Sequence, residues 1–399
     1  MADSFSTLTT TGQSKSWLNR NVVGMALASF FSDMGHETAT VVLPLFLASI
    51  GASPAALGII EGVSDAIASF VKLAGGWYSD KIGQRKAIAV AGYALTGFST
   101  GFFAFATQWW HILIARSIGW FGRGVRGPAR DSILAESVPP QARGRAFGFH
   151  RAGDTLGAIA GPLFALLLVG SIGFQQIFLI TFVPGLLSAL AFYFFVTEKR
   201  RAPSTTSFLG SLNALPREFR LFLFGVGAFG AGNFAHSLLI LRATQILMPT
   251  YGAVVAGSFA IGLYTIHNVL YAGASFPVGA LADRIGKRKL LALGYFLFGL
   301  MSLGFMLPNP DFSLLAFLFI IAGIYIAMVD TLEGSMAADL LPDEVRGMGY
   351  GALATVNGVG DFVSSFVVSI AWTMFSPAIG FGYAAVMSIV GAVILFATR

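Results

Sequence analysis

The sequence contains no cysteine and has few charged residues. Of its 399 residues, 55% are hydrophobic and only 11% are Asp, Glu, Lys or Arg. A soluble protein of this length needs a polar surface, which this composition cannot provide. The absence of cysteine is compatible with any compartment and therefore identifies none.

Several chemical motifs are also missing. The phosphate-binding sequence Gly-x-x-x-x-Gly-Lys-Ser/Thr does not occur, which excludes ATP hydrolysis of that type. No group of Cys or His residues has the spacing of a metal site, and the polar loops are too short to fold into a catalytic domain. We therefore expect neither an enzyme nor a bound cofactor.

Long apolar runs recur from Asn21 to Thr398, with short polar breaks between them. A helix of about 20 apolar residues crosses the ~30 Å hydrocarbon layer of a membrane. Backbone at that depth must satisfy its own hydrogen bonds, and continuous rather than alternating runs indicate helices rather than a barrel. We predict an all-α membrane protein with twelve spans at roughly 21–49, 55–79, 87–106, 109–135, 145–171, 174–197, 221–247, 253–282, 290–307, 311–337, 347–375 and 379–398.

Outside the spans, most Lys and Arg residues lie in alternate loops. The loops around 81–86, 143–145, 199–220, 284–289 and 346 carry Lys and Arg, whereas the loops between them carry neither. The positive-inside rule then predicts a multi-pass protein of the cell (inner) membrane with both termini in the cytoplasm. The net charge of +6 is explained by this orientation and indicates no nucleic-acid partner. Residues 1–20 lack the apolar core of a cleavable signal peptide and are expected to be a cytoplasmic segment.

The chain divides into two halves that repeat one another. A polar stretch at 198–220 is expected to be a cytoplasmic linker between six-helix bundles at 21–197 and 221–399. Two separate motifs recur in one common register, which chance does not explain. They are Gly76-Trp-Tyr-Ser-Asp80-Lys81-Ile-Gly83-Gln-Arg85-Lys86, which recurs from Gly279 to Lys289, and the stretch from Glu136 to Gly144, which recurs from Asp339 to Gly347.

These motifs resemble those of the major facilitator superfamily of transporters. The loop between the second and third spans resembles the signature loop of that family. The acid-x-x-Pro-x-x-x-Arg-Gly elements after the fourth and tenth spans resemble it too. The resemblance covers nearly the whole chain. It implies two pseudo-symmetric six-helix bundles that alternate between inward-open and outward-open states around a central substrate cavity near the membrane midplane.

The repeated loop residues are predicted to form a cytoplasmic gate. Glycines let two helices approach closely, and the acids can pair with basic residues or cap a neighbouring helix. The alternative is that these charges only orient the protein in the membrane. The predicted gate residues are Gly76, Asp80, Arg85, Glu136, Arg143, Gly279, Asp283, Arg288, Asp339 and Arg346.

The fourth and fifth spans also partly resemble drug–proton antiporters. Gly148, Gly157 and the pair Gly161-Pro162 have the spacing of their fifth-helix motif, and Arg116 occupies the place of their fourth-helix arginine. The match is incomplete, because the closing glycine pair and the Gln-Gly that follows the arginine are absent. The resemblance favours proton-coupled export, with ordinary packing of small residues as the alternative.

Charged residues within the spans of the first half are unusually frequent. Such side chains cost several kcal/mol at bilayer depth, so they normally face a cavity and find partners. Asp33 and Glu37 lie on one face of the first span, and Glu61 and Asp65 on one face of the second. Crowding and burial favour the protonated form of a carboxyl group. We predict that these four acids, with Arg116, couple transport to protons, the alternative being structural ion pairs.

The repeat places polar residues at matching depths in both halves, which predicts a shared cavity. The cavity residues are expected to be Asp33, His36, Arg116, Arg123, Asp154, His236, Asn268, Asp330 and Glu333. Arginines of the fourth span permit an anionic solute and the acids permit a cationic one, and the sequence does not decide between them. We expect a monomer in the lipid bilayer that exports a small solute with protons or another ion. The alternatives are an importer or uniporter, a receptor, or a membrane-embedded enzyme.

Overall fold

The computed structural model describes residues 17–82, 84–139, 143–198, 215–308, 310–341 and 346–397, which are helical with short connections and contain no strand. The first half contains α1 (Arg20–Ser49), α2 (Pro54–Ile82), α3 (Arg85–Phe102), α4 (Trp109–Ser137), α5 (Arg143–Leu168), α6 (Phe174–Ile180) and α7 (Phe182–Phe195). The second half contains α8 (Arg217–Gly230), α9 (Ser237–Ile285), α10 (Lys287–Met306), α11 (Phe312–Leu340), α12 (Arg346–Met374) and α13 (Pro377–Ala397).

These helices give the predicted twelve-span fold. In the described part of the chain, nine helical segments are long and apolar enough to cross a membrane. α1 and α4 are of similar length but carry the acids and arginines noted above, and α6 with α7 forms one span. α9 has 49 residues, too many for one crossing, and turns at Gly252, whose φ of 75° suits glycine. It therefore contains the end of the seventh span and the whole of the eighth.

The seventh span differs from the prediction. A continuous helix was expected at 221–247, but the helix is interrupted between α8 and α9 at residues 231–236. The run from Gly230 to Asn233 contains poor helix formers. The exposed backbone groups find partners on α12, because Ser364 Oγ donates to the carbonyl of Asn233 at 2.8 Å and Ser365 Oγ accepts from the N–H of Ala235 at 3.1 Å. Irregular backbone is stable at membrane depth only where protein or a cavity surrounds it.

The two halves meet mainly through α2 against α12 and α5 against α9, with α1 also touching α9. The α2–α12 contact is close because a β-carbon at Gly58 would overlap Ser369, and one at Gly358 would overlap Ser69. Small residues of this kind let helices pack tightly in lipid. Residues 199–214, most of the predicted linker between the halves, lie outside the described part of the chain.

The hydrogen bonds from α12 to the interrupted seventh span predict an effect on stability. Replacing Ser364 with alanine leaves the carbonyl of Asn233 without its donor, which costs about 1–3 kcal/mol for a buried group. We expect Ser364→Ala to lower the thermal unfolding midpoint of the purified protein. Ser258→Ala is the matched control, because that exposed hydroxyl bonds only to Val254 of its own helix. Equal midpoints for the two variants would contradict the stabilising role of Ser364.

Candidate functional site

The most deeply buried ion pair of the site joins α2 to α4. Arg116 Nη2 lies 2.5 Å from Glu61 Oε2, and the two side chains are only 2% and 4% exposed. The guanidinium also stacks over the ring of Trp120, 4.1 Å from its centroid. Glu61 Oε1 and the Nε and Nη1 atoms of Arg116 have no hydrogen-bond partner among the described residues. The pair therefore links two helices in a place where further polar partners are scarce.

Asp33 on α1 lies between cations on α4 and an acid on α5. Arg123 Nη2 is 3.3 Å from Asp33 Oδ1, and Arg126 Nη2 is 4.0 Å from the same oxygen. The carboxyl groups of Asp33 and Asp154 lie close enough for their charges to act on each other. Two neighbouring carboxylates repel each other, and a proton on one of them removes that repulsion. Asp154 also pairs with Arg151 at 3.3 Å. This arrangement is therefore suited to holding and releasing a proton.

The remaining arginines of α4 are also engaged. Arg126 Nη1 donates to Ser32 Oγ at 2.7 Å, and its guanidinium lies 4.1 Å from the centroid of the Tyr93 ring. Arg130 Nε lies 2.9 Å from Asp131 Oδ1. The contacts of Arg126 join α4 to α1 and α3. Every arginine of the described α4 therefore has a partner within the first half.

Asp65 and Glu37, two further predicted proton-coupling acids, accept hydrogen bonds from neutral donors. Trp120 Nε1 donates to Asp65 Oδ1 at 2.7 Å, and the Trp120 ring also meets His36 edge-on at 4.6 Å. Glu37 accepts from the hydroxyl of Tyr264 on α9 at 3.2 Å. That last bond connects the two halves.

Asn268 makes a second contact between the halves, since its amide nitrogen donates to the carbonyl of Ala158 on α5 at 3.0 Å. This side chain was predicted to line the substrate cavity, and its observed bond joins α9 to α5. Asp65, which occupies the corresponding position of the repeat, lines the cavity described next.

A cavity of about 210 Å³ lies against the second half, next to the break between α8 and α9. The predicted cavity residues that lie among the charged contacts of the first half, described above, are Asp33, His36, Arg116, Arg123 and Asp154. Three other predicted residues line this cavity: His236, Asp330 and Glu333. Its lining residues are Asp65, Phe229, Gly230, Asn233, Phe234, Ala235, His236, Ile326, Val329, Asp330, Glu333, Asn357 and Asp361. The described lining contains no Lys or Arg.

Asp330 and Glu333, two of the acids that line this cavity, accept hydrogen bonds from neutral donors. Tyr271 donates to Asp330 at 2.6 Å, and Glu333 accepts from Tyr295 at 2.7 Å and from Asn357 at 2.8 Å. Across the described residues, no three His or acidic side chains are grouped closely enough to hold a metal ion. The carboxylates are therefore spread around the cavity rather than focused on one point.

Sequence reasoning did not assign Asn233, Asn357 or Asp361 to the cavity. Asp361 is visible in the sequence as a charge within a span, which was the available signal for it. For Asn233 the signal was the glycine-rich run that precedes it, because helix breaks at membrane depth accompany binding sites. Asn357 is a single amide, and nothing in the sequence distinguishes it.

The predicted gate is described only in part. Arg85 pairs with Glu136 at 2.7 Å, and Lys287 pairs with Asp339 at 2.6 Å, so each pair joins the start of one helix to the end of the next within one half. Gly279 lies beside Thr331, and Arg288 is partly buried at the start of α10. The predicted gate positions Gly76, Asp80, Arg143, Asp283 and Arg346 lie outside the residues whose side chains are described.

Twelve membrane-crossing helices in two similar halves around a charged cavity are the architecture of a secondary membrane transporter. The chain belongs to the Major Facilitator Superfamily, whose family profile matches residues 25–263 and 237–399. Membership of this transporter family is consistent with the expectation that the chain is not an enzyme, and it implies a small-molecule substrate.

Individual relatives agree with the family. An uncharacterised MFS-type transporter of Methanocaldococcus jannaschii is 31% identical over 380 residues, which cover 95% of this chain and 94% of the relative. A multidrug resistance protein B homolog of Mycobacterium tuberculosis is 27% identical over 273 residues, 68% of this chain and 49% of the relative. The crystal structure of the nucleoside transporter NupG superposes with a TM-score of 0.78 at 14% identity, covering 95% of this chain and 98% of that one. This last similarity concerns the fold alone.

The Glu61–Arg116 pair predicts a non-additive mutational effect. Glu61→Gln or Arg116→Gln alone leaves one buried charge uncompensated, which costs about 3–5 kcal/mol. The double variant removes both charges, so we expect its loss to be smaller than the sum of the two single losses. The folded fraction after detergent extraction and the unfolding midpoint measure these effects. Strictly additive losses would show that the two side chains do not depend on each other.

Proposed function

We propose that the protein is a proton-coupled secondary transporter that exports a small organic solute by alternating access. The observation that carries this proposal is the closeness of the Asp33 and Asp154 carboxyl groups, with Arg123 beside Asp33. A proton on one of the two carboxyl groups lets α1 and α5 stay close together at this point. Its loss leaves two carboxylates side by side, which repel each other.

When Asp33 is deprotonated, the arginines of α4 are its alternative partners. Arg123 and Arg126 lie on α4 at 3.3 Å and 4.0 Å from Asp33, so an ionised Asp33 is drawn toward α4 while Asp154 keeps Arg151. The protonation state of Asp33 therefore decides whether α1 is drawn toward α5 or toward α4. A two-state contact of this kind is what links a chemical event to movement of a whole bundle.

The contacts between the halves support alternating access. Besides the Glu37–Tyr264 and Ala158–Asn268 bonds, the N–H of Ala55 donates to Thr373 Oγ1 at 2.9 Å, where α2 starts and α12 ends. These bonds lie toward the helix ends whose loops carry no Lys or Arg. Arg151, with 65% of its side chain exposed, lies on the other side. With the basic loops in the cytoplasm, this conformation is closed outward and open inward.

Three further features of the proposal follow from the sequence and the family. The fifth-span glycines and the named multidrug-resistance relative support export as the direction. The charge of the loops supports a cell-membrane protein with both termini in the cytoplasm. We take the working unit to be one chain in the bilayer, with protons as the coupling ion.

The coupling step predicts a selective defect in Asp33→Asn. An amide at this position cannot exchange a proton, so flux driven by a pH gradient is expected to be lost. Exchange of labelled for unlabelled solute across proteoliposomes at equal pH is expected to persist, because it needs no net proton movement. An internal pH dye and a panel of cationic, anionic and neutral solutes measure both activities.

Asp131→Asn is the matched control, because it makes the same chemical change on α4 at an acid that is paired with Arg130 and 45% exposed. Its flux should resemble that of the unmodified protein. Undiminished pH-driven flux in Asp33→Asn would remove this residue from the coupling mechanism. Loss of both driven flux and exchange would assign Asp33 to solute binding instead.

A further inference from the structure

The two halves of the protein differ in how their charges at membrane depth are compensated. In the first half, acids and bases are matched and mostly in contact with one another, as in the Glu61–Arg116 and Asp33–Arg123 pairs. All ion pairs between described residues join partners within one half. The spans of the second half contain the acids Asp330, Glu333 and Asp361.

Among the described side chains of the second half, no Lys or Arg lies beside these acids. Arg242 lies near the other end of its span, where it donates to the carbonyls of Leu307 at 2.8 Å and Phe305 at 3.4 Å. Arg151 and Lys72 of the first half are near enough for their charges to act on Asp330, and Lys72 also acts on Asp361, but neither cation comes within ion-pair distance of these acids. The cavity wall therefore carries an excess of negative charge.

The three acids differ in the number of hydrogen bonds that they accept. Glu333 is 4% exposed and accepts from two neutral donors, and Asp330 accepts from Tyr271. The Asp361 carboxylate accepts no hydrogen bond from a described residue and lies in the cavity wall. Charges at this depth normally have partners, so Asp361 is the acid of this wall for which the described residues supply none.

The backbone is interrupted at this same cavity, which is an independent observation. The break between α8 and α9 contributes Asn233 to His236 to the cavity wall, and interrupted helices at membrane depth are tolerated where they line a binding site. Phe229 and Phe234 add aromatic rings to this wall.

We propose that this cavity binds the positively charged nitrogen of a small organic amine, with Asp361 and Asp330 as its counter-ions. The proposal rests on the transport function above and names the substrate class. A metal ion fits less well, because no three acidic or histidine side chains among the described residues converge on one point. An anion fits less well too, because the arginines of α4 are engaged with Glu61, Asp33, Ser32 and Asp131.

Three solutes of similar size and different charge test the proposal: phenyltrimethylammonium, benzoate and benzyl alcohol. Each is titrated into the purified full-length protein in detergent while the thermal unfolding midpoint is recorded. We expect saturable stabilisation by the cation alone. Removing one carboxylate of a desolvated charge pair weakens binding by roughly thirtyfold or more, so Asp361→Asn and Asp330→Asn should shift the half-maximal concentration upward by that factor.

Asp311→Asn is the control for these variants. Asp311 caps the start of α11 by accepting from the N–H of Leu314 at 2.7 Å, and asparagine caps helices equally well. This variant should bind the cation as the unmodified protein does. Stabilisation by benzoate or benzyl alcohol instead, by none of the three solutes, or by the cation unchanged in both cavity variants would overturn the proposal.

The outcome is separable from that of the proton-coupling experiment. Binding in detergent involves no pH gradient, so a protein that is not proton-coupled can still bind the amine. Conversely, pH-driven flux that is lost in Asp33→Asn and carries only anions would support coupling and overturn the amine site.

Discussion

The need to compensate every charge at membrane depth governs this structure. An isolated ion in hydrocarbon is costly, so each charged side chain must have a counter-ion, a hydrogen-bond donor or access to water. The first half meets this need internally, since Arg116, Arg123, Arg126 and Arg130 bind groups on α1, α2 and α4 itself. Those bonds fix how the helices are rotated and so decide which side chains remain to face the cavity.

Much of the fold could be predicted from the sequence, because membrane spans depend on composition over long windows. The interruption at residues 231–236 could not be, since what stabilises it is a pair of serines on α12, far away in the sequence. The site shows the same division. Asp330, Glu333 and His236 were expected in the cavity from their depth, but Asn268 and Arg116 were expected there too. Their actual contacts depend on helix rotation, which a sequence does not specify.

The internal repeat preserves the arrangement of the helices more strictly than the chemistry of the side chains at corresponding positions. The pairs Arg85–Glu136 and Lys287–Asp339 each join the start of one helix to the end of the next, although Lys287 corresponds to Gln84 in the repeat. Deeper in the membrane, Asp33 corresponds to His236 and Asp65 to Asn268. Under the proposed function, the first half is the proton-handling side and the second half the solute-binding side. Movement of one half against the other then couples the two, because α2 contributes Asp65 to a cavity that is otherwise built from the second half.

The interrupted seventh span also has a consequence for how the protein is made. α8 has 14 residues and is about 21 Å long, which is shorter than the ~30 Å hydrocarbon layer. Its continuation starts only after the non-helical residues, whose partners Ser364 and Ser365 lie 131 and 130 positions later in the chain. This segment therefore emerges from the ribosome before the residues that complete its hydrogen bonding. Its final shape depends on biogenesis reaching the eleventh span, so late synthesis, rather than local sequence, completes this wall of the cavity.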